Sequence, residues 1–174
     1  MKSCNEIMMT RRSVKAYKPD AMPSKEDIGA IIDAGLAAAS GRNMQAPIIV
    51  AVTNKEIRDK LSRANAAVMG ASGDPFYGAP CVLVVLANKV AHTYVYDGSL
   101  TLGNMMLEAH ERGLGSCWVH RAKEVFEQDE WQQWLKSIGV QGEYEGIGNL
   151  ILGYPEGDFP AEKERKPGRA FYVE

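Results

Sequence analysis

Residues 81–87, Cys-Val-Leu-Val-Val-Leu-Ala, form an unbroken apolar run near the middle of the chain. A run of this length without polar residues is typical of a strand that is buried on both faces of a sheet. Three further segments are predicted as strands, at residues 48–52, 116–119 and 144–153. Because helical patterns lie between the strands, residues 1–174 are predicted to form one domain of the α/β or α+β class.

The segments between the strands predict helices of very different length. A short helix is expected at residues 3–10, and a second opens at a capping-box variant, residues 24–27, and runs to about Ala39. The tail of this second helix, residues 34–39, is almost free of bulky side chains, which lets either a partner helix or a flat ring approach closely. The remaining helices are predicted at residues 53–69, 94–112 and 123–138.

The helix at residues 94–112 differs from the others because its middle is apolar nearly all round. Such a helix is expected to be buried on most sides. In a domain of this size, that burial requires either a central position or a subunit interface that completes the core.

The composition is that of an ordinary globular domain. The 174 residues are 45% hydrophobic with a formal net charge of -2, so the chain can bury a core and lacks the charge of a general polyanion-binding protein. No apolar run approaches the roughly 18 residues of a membrane span, and the first residues lack the apolar segment of a signal peptide. We therefore expect a cytoplasmic protein with no membrane or nucleic-acid partner.

The side chains that could bind a metal or act as nucleophiles form no recognisable set. The three cysteines and three histidines show neither Cys-x-x-Cys nor His-Glu-x-x-His spacing, so no metal site or disulfide framework is predicted. No convincing Ser/His/Asp or Cys/His set is present either. Redox chemistry in this protein would therefore need an organic cofactor.

A basic stretch, Arg11-Arg12-Ser13-Val14-Lys15, places two guanidinium groups, a hydroxyl and an ammonium within five residues. Planar guanidinium forks and a short hydroxyl donor match the oxygens of a phosphate monoester. An Arg-Arg pair near an N-terminus is also common as a solvated basic pair. Because the chain is not basic overall, we expect a discrete small phosphate rather than nucleic acid.

The loop at residues 40–47, Ser-Gly-Arg-Asn-Met-Gln-Ala-Pro, is rich in hydroxyl and amide groups. Asn43 and Gln45 offer both donors and acceptors, as needed to recognise a ring edge with alternating carbonyl and N–H groups. A plain helix-to-strand loop would explain its Gly and Pro but has no need of these amides. The loop is therefore a second candidate binding segment.

Two other segments are candidates for the edges of a site. The loop at residues 71–80 carries Phe76 and Tyr77, which either stack on an aromatic ligand or pack against the core. A second basic cluster, Lys163-Glu-Arg165-Lys166-Pro-Gly-Arg169, lies in the C-terminal tail. Charged tails are usually solvated, so this cluster is either a solvated tail or part of a phosphate site.

Four motifs in order make the chain resemble the FMN-dependent nitroreductase family, and the resemblance covers essentially the whole sequence. They are the basic stretch at residues 11–15, the polar loop at 40–47, Gly-Leu-Gly-Ser-Cys-Trp at 113–118, and Leu-Gly-Tyr-Pro at 152–155 followed by Lys163-x-Arg165-x-Pro167. Each motif alone is weak, and together they are fairly specific.

The resemblance implies an α+β fold, a three-layer α/β/α sandwich with a central, mostly antiparallel sheet. It also implies a homodimer with two FMN sites at the subunit interface and NAD(P)H as reductant. Electrons would pass by a ping-pong mechanism to nitroaromatic, quinone or similar small-molecule acceptors. The same fold resembles flavin-dependent dehalogenases and dehydrogenases, and a non-catalytic flavin-binding or redox-sensing protein is a further alternative.

The resemblance also implies roles for individual residues. Lys15 would lie near the flavin N1 and O2 edge and act electrostatically, with no side-chain nucleophile required. The FMN phosphate would be held by Arg11, Arg12 and Ser13, with Lys163 and Arg165 closing from the tail. The other subunit would supply Ser40, Asn43 and Gln45, and flavin N5 would face the backbone near Trp118, Val119, His120 and Arg121.

The sequence departs from the family pattern in two places. Many relatives have Pro-Trp after the glutamine, where this chain has Ala46-Pro47. A glycine is usual where this chain has His120-Arg121. The first departure affects the contacts expected from the other subunit, and the second affects the N5 contact and the shape of the acceptor pocket.

Overall fold

The computed structural model describes residues 3–174, and its four strands form a single sheet. The strands follow the order β1-β2-β4-β3, and every neighbouring pair is antiparallel. The antiparallel pairing, with helices between the strands, makes the domain α+β. Each predicted strand is confirmed to within one residue at its ends: β1 (Pro47–Val52), β2 (Cys81–Asn88), β3 (Gly115–Val119) and β4 (Tyr144–Gly153).

The two faces of β2 are buried by different helices. Val82, Val84 and Leu86 belong to one hydrophobic cluster, whereas Leu83 and Val85 belong to another. Because successive side chains of a strand point to opposite faces, burial of both faces requires apolar residues at every position. This double burial explains the unbroken run at residues 81–87.

Residues 3–174 form six α-helices, which are α1 (Cys4–Thr10), α2 (Lys25–Leu36), α3 (Lys55–Met69), α4 (Tyr94–Glu111), α5 (Ala122–Phe126) and α6 (Asp129–Ser137). Helices α3, α5 and α6 contribute Leu61, Val125 and Trp131 to the first cluster. Helices α2 and α4 contribute Ile31 and Met105 to the second. Burying each of these large apolar side chains stabilises the fold by about 1.5 to 3 kcal/mol.

Helix α2 is shorter than predicted, because it ends at Leu36 and not at Ala39. The amide of Ala38 bonds to the carbonyl of Gly35, which tightens the last turn and closes the helix. The small residues at this end receive another helix: a Cβ at Gly35 would lie 2.6 Å from Met105 Cγ on α4. Close approach of α4 therefore accounts for Gly35.

The single helix predicted at residues 123–138 is wrong, because the chain forms two helices there. Gln128 adopts an extended conformation, with φ -78° and ψ 139°, and separates α5 from α6. The break turns both helices toward the same apolar cluster, where the rings of Phe126 and Trp131 pack 5.6 Å apart. The rings of Trp131 and Trp134 also pack edge-on, 5.5 Å apart.

The middle of helix α4 is buried or half-buried throughout, since none of residues 101–110 is exposed, whereas its first two turns carry exposed apolar side chains. Leu102 and Met105 are fully buried against the sheet. On the other side Val95 is 41%, Tyr96 72% and Leu100 52% exposed. The sheet lies on one side of α4, and the described chain supplies no layer to cover these three residues.

The loop at residues 71–80 is fixed by the carboxylate of Asp74. It accepts hydrogen bonds from the N–H groups of Phe76 and Gly78, at 2.9 and 2.8 Å, and from Arg58 Nη2 at 2.6 Å. Arg58 is buried, and its Nε also donates to the carbonyl of Ala79 at 2.9 Å. We call this set of contacts the Arg58–Asp74 lock.

The lock separates the two aromatic residues of the loop. Phe76 is fully buried, with Arg58 stacked over its ring at 5.4 Å, so core packing is confirmed for this residue. Tyr77, in contrast, is 41% exposed. Burial raises the pKa of Asp74, but hydrogen bonds from Arg58, Ser62 and the backbone outweigh burial and hold the pKa below its ordinary value.

Residues 3–174 contain no helix with the length and apolar character to cross a membrane. Within the same residues, no three or more His, Cys, Asp or Glu side chains are placed to hold a metal ion. Cys81 and Cys117 are buried free thiols, and burial raises the pKa of Cys81 to about 12, so its thiolate is scarce at neutral pH.

Replacing Asp74 by Ala should reduce the free energy of unfolding by about 2 to 3 kcal/mol, because buried Arg58 loses its main anionic partner. Asp59→Ala is the matched control, since Asp59 contacts the same arginine from the exposed side of α3 and should cost less than about 1 kcal/mol. Urea unfolding of both variants measures the difference.

The effect of Asp74 should also depend on pH in a defined direction. The pKa of this group is lower in the folded state, so its stabilisation is present above the unfolded value of about 3.9 and is lost as pH falls through the folded pKa. The difference between wild type and Asp74→Ala should therefore be full at pH 7 and shrink below about pH 4. A difference that stays constant down to pH 3 would contradict this role.

Candidate functional site

The basic stretch is held against the sheet by backbone hydrogen bonds. The N–H of Val14 donates to the carbonyl of Ser116 on β3, and the N–H of Lys18 donates to the carbonyl of Tyr154 after β4, both at 3.0 Å. Val14 and Tyr17 are buried, whereas Ser13 and Lys15 are exposed. The alternation fixes which side chains of the stretch face outward, as in a strand.

The tail returns to this stretch and closes a cavity of about 420 Å³. The cavity brings together residues that lie some 150 positions apart in sequence, and five of its lining side chains are cationic. It is lined by Arg11, Arg12, Ser13, Lys15, Pro160, Ala161, Lys163 and Arg165. Lys166 and Arg169 are not among these residues; the Nε of Arg169 instead donates to the carbonyl of Lys166 at 3.1 Å.

Arg11 has the clearest electrostatic signature of an anion site. Its Nη1 is buried and has no hydrogen-bond partner among the described residues. Burial, followed by repulsion from Arg12 and Arg165, lowers the pKa of its guanidinium. A bound anion would supply the missing acceptor and relieve the repulsion together.

Arg12 lines the same cavity, but its guanidinium already contacts groups of the protein. Its Nη1 donates to the carbonyls of Met9 and Arg11, at 2.7 and 2.8 Å, which satisfies backbone groups at the end of α1. Its Nη2 lies 3.4 Å from the carboxylate of Glu162. The two arginines, which were given the same role from the sequence, therefore differ in the structure: within the described residues, Nη1 of Arg12 is hydrogen-bonded and Nη1 of Arg11 is not.

A contact that sequence reasoning missed anchors the tail. The ring of Phe159 packs edge-on against His110 of α4, with ring centroids 5.0 Å apart. His110 Nε2 also forms a 2.8 Å hydrogen bond with the hydroxyl of Thr10, at the end of α1. His110 thereby ties together the two segments that frame the cavity, and nothing in the sequence spacing of Thr10, His110 and Phe159 signals this.

The polar loop at residues 40–47 forms its own hydrogen-bonded unit. The N–H of Gln45 donates to Ser40 Oγ at 3.0 Å, and Gln45 Nε2 donates to Asn43 Oδ1 at 3.2 Å. Arg42, Asn43 and Gln45 have φ values of 53°, 54° and 48°. Residues other than glycine rarely adopt this left-handed backbone region. Each such residue destabilises the fold by about 1 to 3 kcal/mol, so the conformation persists only where the surrounding structure imposes it.

Asp97 anchors the start of this loop to α4, and the sequence analysis missed it. Its buried carboxylate accepts hydrogen bonds from the N–H of Gly41 at 3.0 Å and from Thr93 Oγ1 at 2.9 Å. Gly41 also passes so close to α4 that a Cβ would lie 2.2 Å from Thr93 Oγ1. An acidic residue in the first turn of α4 was visible in the sequence, but its partner 56 residues earlier was not.

The first two groups of predicted site residues do not meet within one chain. Ser40 and Gln45 line a separate cavity of about 140 Å³ beside Thr101. None of the residues that line the basic cavity lines this one. Within the described residues of a single chain, the two groups thus line separate cavities.

The third predicted group, Trp118, Val119 and His120, lies where β3 ends. Val119 is buried and His120 is exposed, with the rings of Trp118 and His120 6.4 Å apart. A buried amide pair that the sequence analysis missed supports this segment. Asn149 Nδ2 donates to Asn65 Oδ1 at 3.0 Å and lies 3.5 Å from the carbonyl of Val119.

Lys15 connects the basic cavity to the loop at residues 71–80. Its Nζ lies over the ring of Tyr77, 5.4 Å from the ring centroid. Within the part of the chain that the structure describes, no carboxylate forms an ion pair with Lys15. The loop at residues 71–80, predicted as a candidate edge of the site, thus contacts the basic cavity through Tyr77 and Lys15.

A family match, a sequence relative and a solved structure all place this chain among the nitroreductases. Residues 8–76 and 68–154 match the Nitroreductase family. A protein of Archaeoglobus fulgidus with the provisional name NADH dehydrogenase/NAD(P)H nitroreductase is 30% identical over 95% of this chain and 94% of its own. A crystal structure of a nitroreductase with bound FMN from Bacteroides fragilis is 27% identical, with a TM-score of 0.88 and full coverage of both chains.

A more distant structure shares the fold alone. Iodotyrosine deiodinase, solved with FMN and 3-iodo-L-tyrosine, superimposes with a TM-score of 0.74 at 21% identity, covering 98% of this chain and 99% of its own. The architecture is therefore not restricted to one reaction.

Inorganic phosphate should stabilise this protein through the basic cavity. At ten times its dissociation constant, phosphate should add about 1.4 kcal/mol and raise the unfolding temperature by about 3 to 6 °C. Arg165→Ala should reduce this shift, whereas Arg63→Ala, an exposed arginine on α3, should leave it unchanged. Differential scanning fluorimetry measures both, and an equal shift from chloride at matched ionic strength would contradict a discrete site.

Proposed function

Because this chain belongs to the nitroreductase family, we propose that it is an FMN-dependent oxidoreductase that takes electrons from NAD(P)H and passes them to a nitroaromatic, quinone or similar acceptor. The observation that carries the proposal is the buried, unpartnered Arg11 Nη1 in a cavity lined by five cationic side chains. The described relative from Bacteroides fragilis, which binds FMN, supports the choice of cofactor.

The residues of the basic cavity fit the phosphate of FMN. A phosphate monoester carries nearly two negative charges at neutral pH and accepts hydrogen bonds from several directions. Arg11 and Arg165 would donate from guanidinium groups, Ser13 from its hydroxyl and Lys163 from its ammonium. Arg12 would contribute mainly its charge, since Nη1 is used by backbone carbonyls.

FMN supplies two-electron transfer in two successive half-reactions when bound, which is the ping-pong sequence that we propose. The protein contributes orientation and electrostatics. Lys15 would stabilise negative charge at the pyrimidine end of the ring, by the same logic as an oxyanion hole. No side-chain nucleophile is required. The backbone near Trp118, Val119 and His120 would face the reactive edge of the ring.

We further propose that the site is completed by a second copy of the chain. One subunit would supply Arg11 and Lys15, and the other would supply Ser40, Asn43 and Gln45. Two observations support this arrangement. The two polar surfaces share no cavity within one chain, and α4 leaves an apolar face with Val95, Tyr96 and Leu100 uncovered. In this homodimer each subunit would be a three-layer α/β/α sandwich, and we expect it in the cytoplasm.

The visible spectrum of the purified protein tests the central proposal. Bands of oxidised flavin, present as purified or after addition of FMN, are the expected result. Steady-state oxidation of NAD(P)H with a quinone or nitroaromatic acceptor then tests turnover. Flavin bands without NAD(P)H oxidation would favour a flavin-binding sensor, and turnover with a halogenated tyrosine would favour dehalogenation, for which the shared fold with iodotyrosine deiodinase is the reason to look.

Replacing Arg11 by Ala should weaken FMN binding about 10- to 150-fold, because a phosphate dianion loses a charge-assisted hydrogen bond worth about 1.5 to 3 kcal/mol. Binding of riboflavin, which lacks the phosphate, should barely change. Arg169→Ala is the matched control, since this tail arginine lies outside the cavity and should bind FMN as wild type does. Equal losses for FMN and riboflavin would show that Arg11 does not contact the phosphate.

Mixing two inactive double variants should restore activity if each site is shared between subunits. One variant carries Ala at Arg11 and Arg12, and the other carries Ala at Asn43 and Gln45. After mixed unfolding and refolding, about half of the dimers are mixed, and each has one intact and one doubly damaged site. Activity should recover to roughly a quarter of wild type. Absence of recovery in verified mixed dimers would place both groups within one subunit.

A further inference from the structure

Tyr77 occupies a backbone position that a residue with a side chain rarely adopts. Its φ is 52°, and the following Gly78 has φ 75°. The N–H of Tyr77 donates to the carbonyl of Asp74 at 3.1 Å, and the N–H of Gly78 donates to the Asp74 carboxylate at 2.8 Å. The Arg58–Asp74 lock therefore imposes this conformation, and its strain is compensated by hydrogen bonds.

The lock also determines where the Tyr77 ring lies. Phe76 is buried on the core side of the loop beneath Arg58, whereas the neighbouring Tyr77 is 41% exposed. Tyr77 then meets the ammonium of Lys15 at 5.4 Å from the ring centroid. This distance and placement are those of a cation–π contact.

An aromatic ring and a carboxylate would hold Lys15 in different electrostatic ways. A carboxylate neutralises the ammonium and draws its hydrogen bonds, whereas the negative face of a ring attracts the cation and leaves its full charge in place. Other cations of this chain, such as Arg58 and Arg112, are paired with carboxylates at 2.6 to 3.0 Å. Lys15 alone among the cavity's lysines and arginines lies over an aromatic ring within residues 3–174.

We propose that Tyr77 is a positioning residue that holds the charged Lys15 ammonium against the pyrimidine end of the FMN ring without neutralising it. The proposal rests on the proposed function for the identity of the cofactor. It extends that function by giving the loop at residues 71–80 a role at the cofactor, in addition to its packing through Phe76 and the Arg58–Asp74 lock. The Arg58–Asp74 lock supports Tyr77, and Tyr77 orients Lys15.

The contact between Lys15 and Tyr77 is measured first, without reference to the cofactor. In full-length protein labelled with ¹³C at the lysine ε-carbon, the Lys15 resonance is identified by its loss in Lys15→Met. A group above an aromatic ring is shifted upfield, so this resonance should be displaced in wild type and in Tyr77→Phe. It should return to the ordinary lysine position in Tyr77→Leu.

The consequence for the cofactor is measured as the reduction potential of bound FMN. Tyr77→Leu should lower the ratio of reduced to oxidised FMN affinity about two- to fivefold, the range of an exposed cation–π contact. For a two-electron couple this corresponds to about 10 to 20 mV. Tyr77→Phe should match wild type, since it keeps the ring. Leu and Phe are both unbranched at Cβ, so neither adds backbone strain at this position.

A double-mutant cycle separates positioning from a general structural effect. In the Lys15→Met background, Tyr77→Leu should produce no further change in potential, because the charge that Tyr77 positions has been removed. Tyr172→Leu is the control, since this tyrosine is 88% exposed in the tail and the same substitution there should leave the potential unchanged.

The outcomes distinguish this role from the proposed function. An unshifted Lys15 resonance in wild type, or a potential that Tyr77→Leu changes equally with and without Lys15, would overturn the role of Tyr77 while FMN binding stands. Failure of the wild-type protein to bind FMN would overturn the proposed function, and the role of Tyr77 with it.

Discussion

The double burial of β2 is the constraint on which the rest of the molecule depends. A strand whose side chains are buried on both faces needs helices on both sides, and α2 and α4 cover one face while α3, α5 and α6 cover the other. Both candidate binding segments lie outside β2, one paired to β3 and one leading into β1.

Charge is distributed unevenly over these peripheral segments. Two loops are each held by a carboxylate that accepts several hydrogen bonds: Asp97, which is buried, and Asp74, which is partly exposed but pairs with buried Arg58. Where the chain lines the basic cavity, cations are crowded together, and the pKa of Arg11 is lowered by burial and by its neighbours. Crowded cations destabilise the folded state by mutual repulsion. An anion bound in the cavity would offset this repulsion and stabilise the folded protein.

The single chain leaves an apolar part of α4 exposed. Val95, Tyr96 and Leu100 expose apolar surface on the helix that otherwise closes the core, and the strained loop near Asn43 faces no cavity shared with Arg11. Burial of such a face by a second copy would complete the core and join the two polar surfaces. One physical cause thus links oligomerisation and cofactor binding in the proposed homodimer.

The sequence by itself determined the four strands, the family, and the segments that carry polar site residues, because these depend on local composition and order. The antiparallel sheet followed only from the family resemblance, since the apolar runs left the α/β and α+β classes open. The sequence analysis misjudged the end of α2 and the break at Gln128, where packing of Gly35 and of Phe126 overrides helix propensity. The family resemblance had already grouped Lys163 and Arg165 with Arg11, and the structure brings the three into one cavity. Only the tertiary structure decided that Asp97 fixes Gly41 and that Tyr77 meets Lys15. These contacts join residues far apart in sequence, and their partners are chosen by how the helices pack on the sheet, which no local pattern records.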